Sequence, residues 1–436
     1  MATAVPIALL AIGGIAAVAI VVFGLRLLPR TAFVVWACVL FFVPLWVGVN
    51  IGFYWAAITL LTILLIVVNW SVVPLRAGDA WVAAFVLVVV GLYGFGTVDL
   101  ASLVAALLEW VVPYIWGRVV LARVAPEWVT STIAVVAIVA AALAVVEFVT
   151  SFNPFVLIPG SGVVYETWSP LQERGGVLRA EGAWGHSIAL GAALAMSSAF
   201  VVATRWRLFP KIAGVVIIAV ATVLTFSRAG LLTLVLTLVL STFLIVGVST
   251  RFRVTVAAAG VIGAAIVIPV IDTVFGAAGE EAGGSADYRT DLLVLLEQVQ
   301  LFGNPGDWHS LVSGDYYLGY FARSVDNALV LTLLRYGYVP TLLIMAAVVC
   351  AALMAVRRST RSPAALAVVG QLPSLVVVAL ITQYSMFLWF CVGLAITWAR
   401  DAGARSAPDE QLFLRDTPMS TAPTPPTGAA PQERRT

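Results

Sequence analysis

Apolar runs of about twenty residues recur along the whole chain, and they limit its possible folds more than any other feature. A helix rises 1.5 Å per residue, so a run of this length crosses a hydrocarbon core of roughly 30 Å. Hydrophobic residues make up 62% of the chain and charged residues only 11%, whereas about a quarter of a typical soluble domain is charged. The sequence therefore predicts an all-α, polytopic membrane protein.

Basic residues mark every second junction between these runs. Arg26 and Arg30 follow the first run, and Lys211 follows the seventh. Lys and Arg collect on the cytoplasmic side of membrane proteins, so every odd run is predicted to end inside. About thirteen runs can be drawn, and they cover roughly residues 5–25, 31–49, 52–70, 79–96, 100–122, 128–150, 183–203, 208–226, 229–249, 252–272, 325–356, 362–381 and 384–400.

This alternation predicts about 12–13 transmembrane helices, an external N-terminus and a cytoplasmic C-terminus. Merging two short runs would place the N-terminus on the other side. Ala and Val are abundant and Lys211 is the single lysine, a composition that suggests a GC-rich bacterial genome. The expected location is therefore a bacterial plasma (inner) membrane, with several passes through it.

The predicted topology gives one integral-membrane domain over residues 1–400. Two long extracytoplasmic loops belong to it, at about residues 151–182 and 273–324. Residues 401–436 are rich in Pro, Thr and Ala with mixed charge, a composition typical of a disordered segment. They are predicted to form a cytoplasmic tail.

The second loop, within Asp272 to Asn327, holds many charged and aromatic residues in a chain where charge is scarce. We expect any enzymatic chemistry to be here. A short loop helix is predicted from Ser285 to Gln300, because Ser285 can cap it and an apolar stripe follows at helical spacing. The segment Gly303–Gly306 would end this helix.

Three arginines are predicted on the external face. Arg179 lies at the entrance of the seventh run, Arg228 in the turn between the eighth and ninth, and Arg289 early in the loop helix. A single interfacial arginine is usually a snorkelling or solvated charge, but three are unusual on the face that ordinarily avoids positive charge. Because a guanidinium binds phosphate bidentately, the three predict a pocket for a lipid-linked diphosphate.

Several segments containing these arginines share their order and outward placement with a known family. They are Arg179–Gly191 (RAEGAWGHSIALG), the Ser227–Gly230 turn, the external loop with Arg289, and Asp326–Leu329 followed by Arg335–Gly337. Over roughly residues 175–400 the chain resembles the O-antigen ligase and O-antigen polymerase superfamily.

The resemblance implies an inverting, metal-independent membrane glycosyltransferase that needs no cofactor. The donor would be a glycan on a polyprenyl (di)phosphate carrier, and the acceptor another glycan, a lipid or a cell-wall component. Membrane lipids are the other expected partners, and no nucleic acid is expected. In this interpretation Arg179, Arg228 and Arg289 hold the donor phosphates and stabilise the charge that develops on them.

The catalytic base is the point at which the chain departs from the family. The family usually has His-Asn where this chain has Asp326 and Asn327. A carboxylate can deprotonate an acceptor hydroxyl in the same way, so Asp326 is the first candidate for the base. Asp326 could equally cap the eleventh run, and one residue can do both. His309 is the second candidate, although an exposed loop histidine is the simpler interpretation.

The remaining site candidates come from the same segments. Glu181, His186 and Asn327 belong to the motifs, and His186 could also be a packing residue at the helix entrance. Trp308 and Tyr316 are the candidates for stacking against sugar. The other loop aromatics are interpreted as an interfacial belt: Tyr165, Trp168, Trp184, Tyr317 and Tyr320.

Two ionisable residues are predicted deep inside apolar runs. Glu109 and Arg335 each lie about nine residues from the external end of a run, which is roughly 14 Å down. Such charges need partners in lipid, so we expect the two side chains to pair. Arg335 could instead reach the carrier phosphate.

Other functions remain open at this level. Within glycan transfer, the sequence does not separate a polymerase from a ligase. A transporter or flippase for a lipid-linked or anionic substrate is the alternative class, and it predicts ionisable residues along a path through the membrane centre. A non-catalytic membrane scaffold is a third, and it gives the external arginines no purpose.

Overall fold

The computed structural model describes residues 21–160, 162–277, 292–306, 312–313, 316–317, 325 and 327–404, and these residues are mostly helical. The first helices are α1 (Val21–Leu27), α2 (Pro29–Phe42), α3 (Ala57–Val68), α4 (Ala77–Gly94), α5 (Leu100–Val104), α6 (Val112–Val119), α7 (Pro126–Thr150) and α8 (Gly162–Trp168). The later helices are α9 (Ser187–Ala203), α10 (Leu208–Leu224), α11 (Arg228–Leu244), α12 (Thr250–Ala277), α13 (Ala328–Tyr336), α14 (Tyr338–Leu353), α15 (Pro363–Gln371) and α16 (Thr382–Ala404). The helical class predicted from the sequence is confirmed.

Short elements of other kinds connect these helices. The strands form three antiparallel hairpins: β1 (Gly48–Ile51) with β2 (Phe53–Ala56), β3 (Glu173–Arg174) with β4 (Val177–Leu178), and β5 (Val312–Ser313) with β6 (Tyr316–Tyr317). A π-helix covers Ala105–Val111, and 3-10 turns cover Val120–Ala122, Pro154–Leu157, Gly182–Trp184, Leu292–Gln298 and Leu372–Val376.

Three helical stretches in the described residues are long and apolar enough to cross a membrane. They are Ala77–Gly94, Leu100–Ala122 and Pro126–Thr150, and α1 with α2 would make a fourth span bent by 112°. The described residues also form shorter apolar helices of 10–17 residues: Ala57–Val68, Ser187–Ala203, Leu208–Leu224, Arg228–Leu244, Tyr338–Leu353 and Pro363–Val376.

Several predicted runs are shorter or divided in the structure. The run at 52–70 begins as strand β2, so its helix starts only at Ala57. The run at 325–356 is divided at Gly337. This glycine has a φ of 87°, which is incompatible with a continuous right-handed helix. The predicted loop helix lies partly outside the described residues, and its described part, Leu292–Gln298, is a 3-10 helix. Apolar composition alone therefore overestimated helix length.

Helix α9 is at the centre of the bundle. It packs against α7, α10, α11 and α15, and most of its side chains are buried. Small residues allow some helices to approach closely. At Gly191 in α9, an added Cβ would lie 3.0 Å from Thr225 Oγ1 and 3.6 Å from Gly230 Cα. The glycines of the two sequence motifs therefore form the contact between α9 and α11.

The bundle has two ends with different contents. At the end that we call the motif end, Glu147 at the end of α7 lies beside Gly182, and Arg179 lies beside Thr225 at the end of α10. At the opposite end, which we call the cavity end, a cavity is lined by residues from the other termini of these helices, including Pro126, Thr204 and Lys211. Consecutive helices therefore run antiparallel between the two ends.

Candidate functional site at the motif end

Arg179 joins the two sequence motifs. Its side chain is buried, with 7% of the residue exposed, and its Nε donates to the Thr225 carbonyl at 2.9 Å. The next backbone amide, that of Ala180, donates to the Leu224 carbonyl at 3.1 Å. The segment that begins at Arg179 is therefore held directly against the turn before Arg228.

The turn between α10 and α11 has a conformation that its own residues maintain. Phe226 is buried and has a left-handed backbone with φ of 47°. Ser227 is the N-cap of α11, and its side chain accepts a hydrogen bond from the Gly230 amide at 3.0 Å. A serine at this position satisfies one of the free amides at the start of the helix. The Ser-Arg-Ala-Gly motif is thus the capped first turn of α11.

Arg174 is a further arginine at this turn that the sequence interpretation missed. Its Nη1 donates to the Phe226 carbonyl at 3.2 Å, and it lies in the β3–β4 hairpin. Gly175 and Gly176 form the tip of that hairpin, with φ of 55° and 76°. Two consecutive glycines between short extended segments are a recognised hairpin signal, so the hairpin that carries this arginine could have been predicted from the sequence.

Arg228 is the exposed arginine of the group. It is the first residue of α11, directly after the Ser227 cap. The start of a helix carries a partial positive charge from the aligned peptide dipoles. Arg174 and Arg179 hold the carbonyls of the same turn, so positive charge from three side chains and one helix terminus surrounds residues 225–228.

Glu147 supports the loop on the other side of Arg179. Its carboxylate accepts from the backbone amides of Glu181 at 3.1 Å and Gly182 at 2.8 Å, and from Asn153 Nδ2 at 2.9 Å. Asn153 Nδ2 also donates to the Gly182 carbonyl at 3.0 Å. The sequence interpretation missed Glu147, although a lone carboxylate near the end of an apolar run needs compensation and is a signal in itself.

Glu181 and His186 are both buried at the motif end. Glu181, 1% exposed, accepts from the Gln172 backbone amide at 2.9 Å. His186, 9% exposed, is the N-cap of α9, where its Nδ1 accepts from the Ile188 amide at 3.1 Å. The His186 ring also lies edge-on to Trp168, with 6.1 Å between ring centroids. These contacts shape the loop from which Arg179 extends.

Asn327 begins α13 and also contacts a neighbouring segment. Its Oδ1 accepts from the Val330 amide at 3.0 Å, and its Nδ2 donates to the Val376 carbonyl at 2.8 Å. The N-cap of this helix is therefore Asn327, one residue later than the alternative that the sequence offered. Asp326 itself lies outside the described residues.

Glu109 and Arg335 are near each other but are not in contact. Glu109 lies on the π-helix and Arg335 in the last turn of α13, and both are half-buried. The charge of Arg335 acts on the Glu109 carboxylate, yet no ion pair of 4.0 Å or less between the two is found in the described part of the chain. The expected direct ion pair between the two side chains is therefore not observed in the described residues.

Most of the other predicted site residues lie outside the described part of the chain. Arg289, Trp308 and His309 lie outside the described residues, as does Asp326. Tyr316 is in strand β6, paired with Ser313, and only its backbone is described. The structure thus brings together Arg179, Glu181, His186 and Arg228, while Asn327 and Arg335 belong to α13 and its cap.

The described residues also enclose a small cavity beside Arg179. It measures about 10 Å³ and is lined on one side by Glu147 and Asn153. This volume is about that of one water molecule. Within the described ranges, no group of three or more His, Cys, Asp or Glu side chains is arranged as a metal site.

Comparison with known proteins adds no assignment. No protein-family model matches this chain, and no curated protein is significantly similar to it. The functional interpretation therefore depends on the motifs and their geometry.

Proposed function

We propose that this protein is a polytopic glycosyltransferase of the bacterial plasma membrane, similar to O-antigen ligases and polymerases. The observation that carries the proposal is the contact between Arg179 and the Thr225 carbonyl, at 2.9 Å. It unites two motifs, 46 residues apart in sequence, that the family resemblance assigns to one site. Arg174 and Arg228 add cationic groups at the same turn.

The positive charge around residues 225–228 suits a donor that carries phosphate. Guanidinium groups bind phosphate oxygens through charged hydrogen bonds, and a helix N-terminus favours an anion near its free amides. Arg228 is the exposed group among the described arginines of this turn, so it is the one placed to contact a donor. Arg179 and Arg174 hold the turn from beneath.

The reaction follows from the chemistry of the donor. The acceptor hydroxyl oxygen attacks the anomeric carbon while the bond from that carbon to the phosphate oxygen breaks, which inverts the configuration. The hydroxyl proton passes to Asp326, our first candidate for the base, with His309 as the second. Arg228 and Arg289 stabilise the negative charge that the leaving phosphate gains.

The membrane placement is part of the proposal. The three long apolar helices and the shorter ones beside them suit a multi-pass bundle. Arg205, Lys211 and Arg361 all line the cavity end, and basic residues favour the cytoplasmic side. The motif end would then face out of the cell, with the large loop over it and the C-terminus inside.

The test is glycan transfer by the purified full-length protein in nanodiscs. A radiolabelled glycan on polyprenyl diphosphate is supplied with EDTA and an acceptor glycan. We expect product from the wild type, and a loss of about 10²–10³ in rate in Arg228→Ala, the usual effect of removing a group that stabilises transition-state charge. Arg289→Ala should behave similarly, and Asp326→Asn should slow transfer while donor binding persists.

Arg205→Ala is the matched control for the arginine variants. Arg205 is also exposed, with 85% of its side chain accessible, but it lies at the cavity end and pairs with Glu127 at 3.3 Å. Its transfer rate should equal that of the wild type. Donor binding without turnover on any acceptor would contradict a transferase and favour the flippase alternative. An unchanged rate in Asp326→Asn would move the base to His309 or remove the need for a base.

A further inference from the structure

The cavity end contains a space large enough for a ligand, and nothing in the proposed reaction uses it. The cavity measures about 710 Å³, within the usual range for small-molecule sites. Residues from α7, α9, α10, α15 and α16 form its wall, together with the segments that join α9 to α10 and α11 to α12. It therefore lies at the opposite termini of the helices that build the motif end.

The lining of this cavity combines cationic side chains with apolar ones. Arg205, Lys211 and Arg361 supply three positive charges, and Glu127 is the one carboxylate in the lining. The apolar wall comes from two indole rings and several aliphatic side chains: Val202, Trp206, Ile245, Val246, Val248 and Trp398. A ligand that matches both kinds of side chain is an anion attached to an apolar tail.

Lys211 is the cation that most requires such a ligand. It is half-buried; its Nζ donates to the Val202 carbonyl at 3.1 Å and lies 5.6 Å from the centre of the Phe252 ring. In the described part of the chain no carboxylate lies within 4.0 Å of it. An ammonium group has three donors, so Lys211 can keep the Val202 contact and still bind an anion. Partial burial of an uncompensated charge is unfavourable, and an anionic ligand would offset it.

Arg361 is fixed on the cavity wall by backbone carbonyls. Its three guanidinium nitrogens donate to Ala355 at 2.7 Å, Leu244 at 2.9 Å and Val356 at 2.9 Å. These contacts orient the group before any ligand arrives, so little side-chain freedom is lost on binding. Arg205, by contrast, already forms an ion pair with Glu127 at 3.3 Å.

We propose that this cavity binds the phosphate headgroup of an acidic phospholipid, with Lys211 as the principal cation and the indole-lined wall against the start of the acyl chains. Basic pockets between membrane helices on the cytoplasmic side suit such headgroups. The proposal rests on the membrane placement given under the proposed function. It does not depend on glycan transfer, so the two can fail separately.

Native mass spectrometry of the full-length protein in a neutral detergent tests it. Phosphatidylglycerol and phosphatidylcholine of equal chain length are titrated separately, without donor or acceptor. We expect the wild type to retain phosphatidylglycerol preferentially, and Lys211→Ala to bind it about ten-fold more weakly, as for loss of one charged hydrogen bond. Lys211→Arg should restore most of the preference.

Arg358→Ala is the matched control, because Arg358 is exposed in the same connecting segment as Arg361 but does not line the cavity. It should bind phosphatidylglycerol as the wild type does. If Lys211→Ala is not recovered folded, Val246→Trp fills the cavity from an exposed position instead and should also reduce binding. Equal retention in either variant and the wild type would overturn the proposal.

A third arm separates a lipid from a free anion. Inorganic phosphate is added to the complex with phosphatidylglycerol at equal concentration. Retention of the lipid supports a site for headgroup and tail together. Displacement of the lipid by inorganic phosphate would show a site for the anion alone and would overturn the assignment to a phospholipid.

Discussion

The two ends of the bundle stabilise buried charge in different ways. At the cavity end, Arg118 and Asp79 form a side-chain pair, with Nε to Oδ1 at 2.7 Å and Nη2 to Oδ2 at 2.8 Å, and 7% and 13% of the side chains exposed. Tyr114 donates to the same carboxylate at 2.6 Å, and Arg118 also contacts Thr397. At the motif end, Glu147 and Arg179 instead contact backbone amides and carbonyls.

This difference separates the contacts that hold helices together from the contacts that shape loops. The pair of Arg118 and Asp79 joins α6 to α4, and Thr397 extends it to α16. Glu147 holds residues 181–182 and Arg179 holds Thr225, and both segments connect helices. Functional residues are commonly held on loops that a rigid scaffold positions. The contacts at the motif end therefore position loops, as in a functional site. The pair of Arg118 and Asp79 at the cavity end instead holds helices together as part of the scaffold.

Removal of the Asp79 carboxylate should have the largest effect on stability. Asp79→Ala leaves the Arg118 guanidinium buried without its carboxylate, which typically costs about 3–5 kcal/mol. The measurement is thermal unfolding in detergent. Unfolding is monitored with a maleimide dye, which reacts when the buried Cys391 thiol becomes accessible. We expect a strongly lowered Tm or loss of folded protein.

Two controls show whether the pair itself is responsible. Combining Asp79→Leu with Arg118→Met removes both charges, and such replacements are often neutral or stabilising, so stability should largely return. Glu127→Ala breaks the exposed pair with Arg205 and should cost at most about 1 kcal/mol. A mild effect of Asp79→Ala alone would contradict the scaffold role.

Glu147→Gln should weaken the motif end by a smaller amount and locally. The amide keeps one acceptor oxygen but turns an NH₂ group toward the backbone donors of Glu181 or Gly182, and loss of a charged hydrogen bond costs about 1.5–3 kcal/mol. Hydrogen exchange should rise in residues 180–184, with a smaller fall in global Tm than for Asp79→Ala. A uniform rise in hydrogen exchange across the bundle would contradict the distinction between the two ends.

The sequence predicted the helical class and a common end of the bundle for Arg179 and the turn at Arg228, because both predictions depend on local patterns. Arg179 and the Ser227–Gly230 turn were recognisable from short motifs, and their common external placement predicted a shared pocket, but not the contact of Arg179 with the Thr225 carbonyl. The pair of Asp79 and Arg118 was not predicted: 39 residues separate them, and no local spacing links them.

Helix length and the supporting contacts also depended on tertiary structure. The β1–β2 hairpin and the break at Gly337 shorten apolar runs that composition alone extends. Glu147 supports the loop through backbone amides, and such amides leave no residue pattern to search for. The two-glycine tip beside Arg174 and the lone carboxylate of Glu147 near the end of an apolar run were local signals that were overlooked.

Gly191→Leu tests whether the contact between α9 and α11 positions the motif end. A side chain there would press on Thr225 Oγ1 and on Gly230, and overpacking of this kind costs about 1–3 kcal/mol. We expect a lower Tm and, in the transfer assay, a rate reduced by at least as much as the folded fraction. Gly260→Leu is the control, because an added Cβ at that helical glycine meets no atom within 4 Å.

Asn327→Ala should have the smallest effect and separates helix capping from chemistry. The substitution removes the acceptor for the Val330 amide and the donor to the Val376 carbonyl, and loss of an N-cap costs about 1 kcal/mol. Asn327→Asp keeps the cap acceptor and should recover most of the stability in the same dye assay, although the Val376 contact is lost. If Asn327 only supports α13, the transfer rate per folded molecule should be unchanged in Asn327→Asp. A large fall in that rate at normal stability would instead place Asn327 in contact with the substrate, which extends the site from the turn at Arg228 to the start of α13.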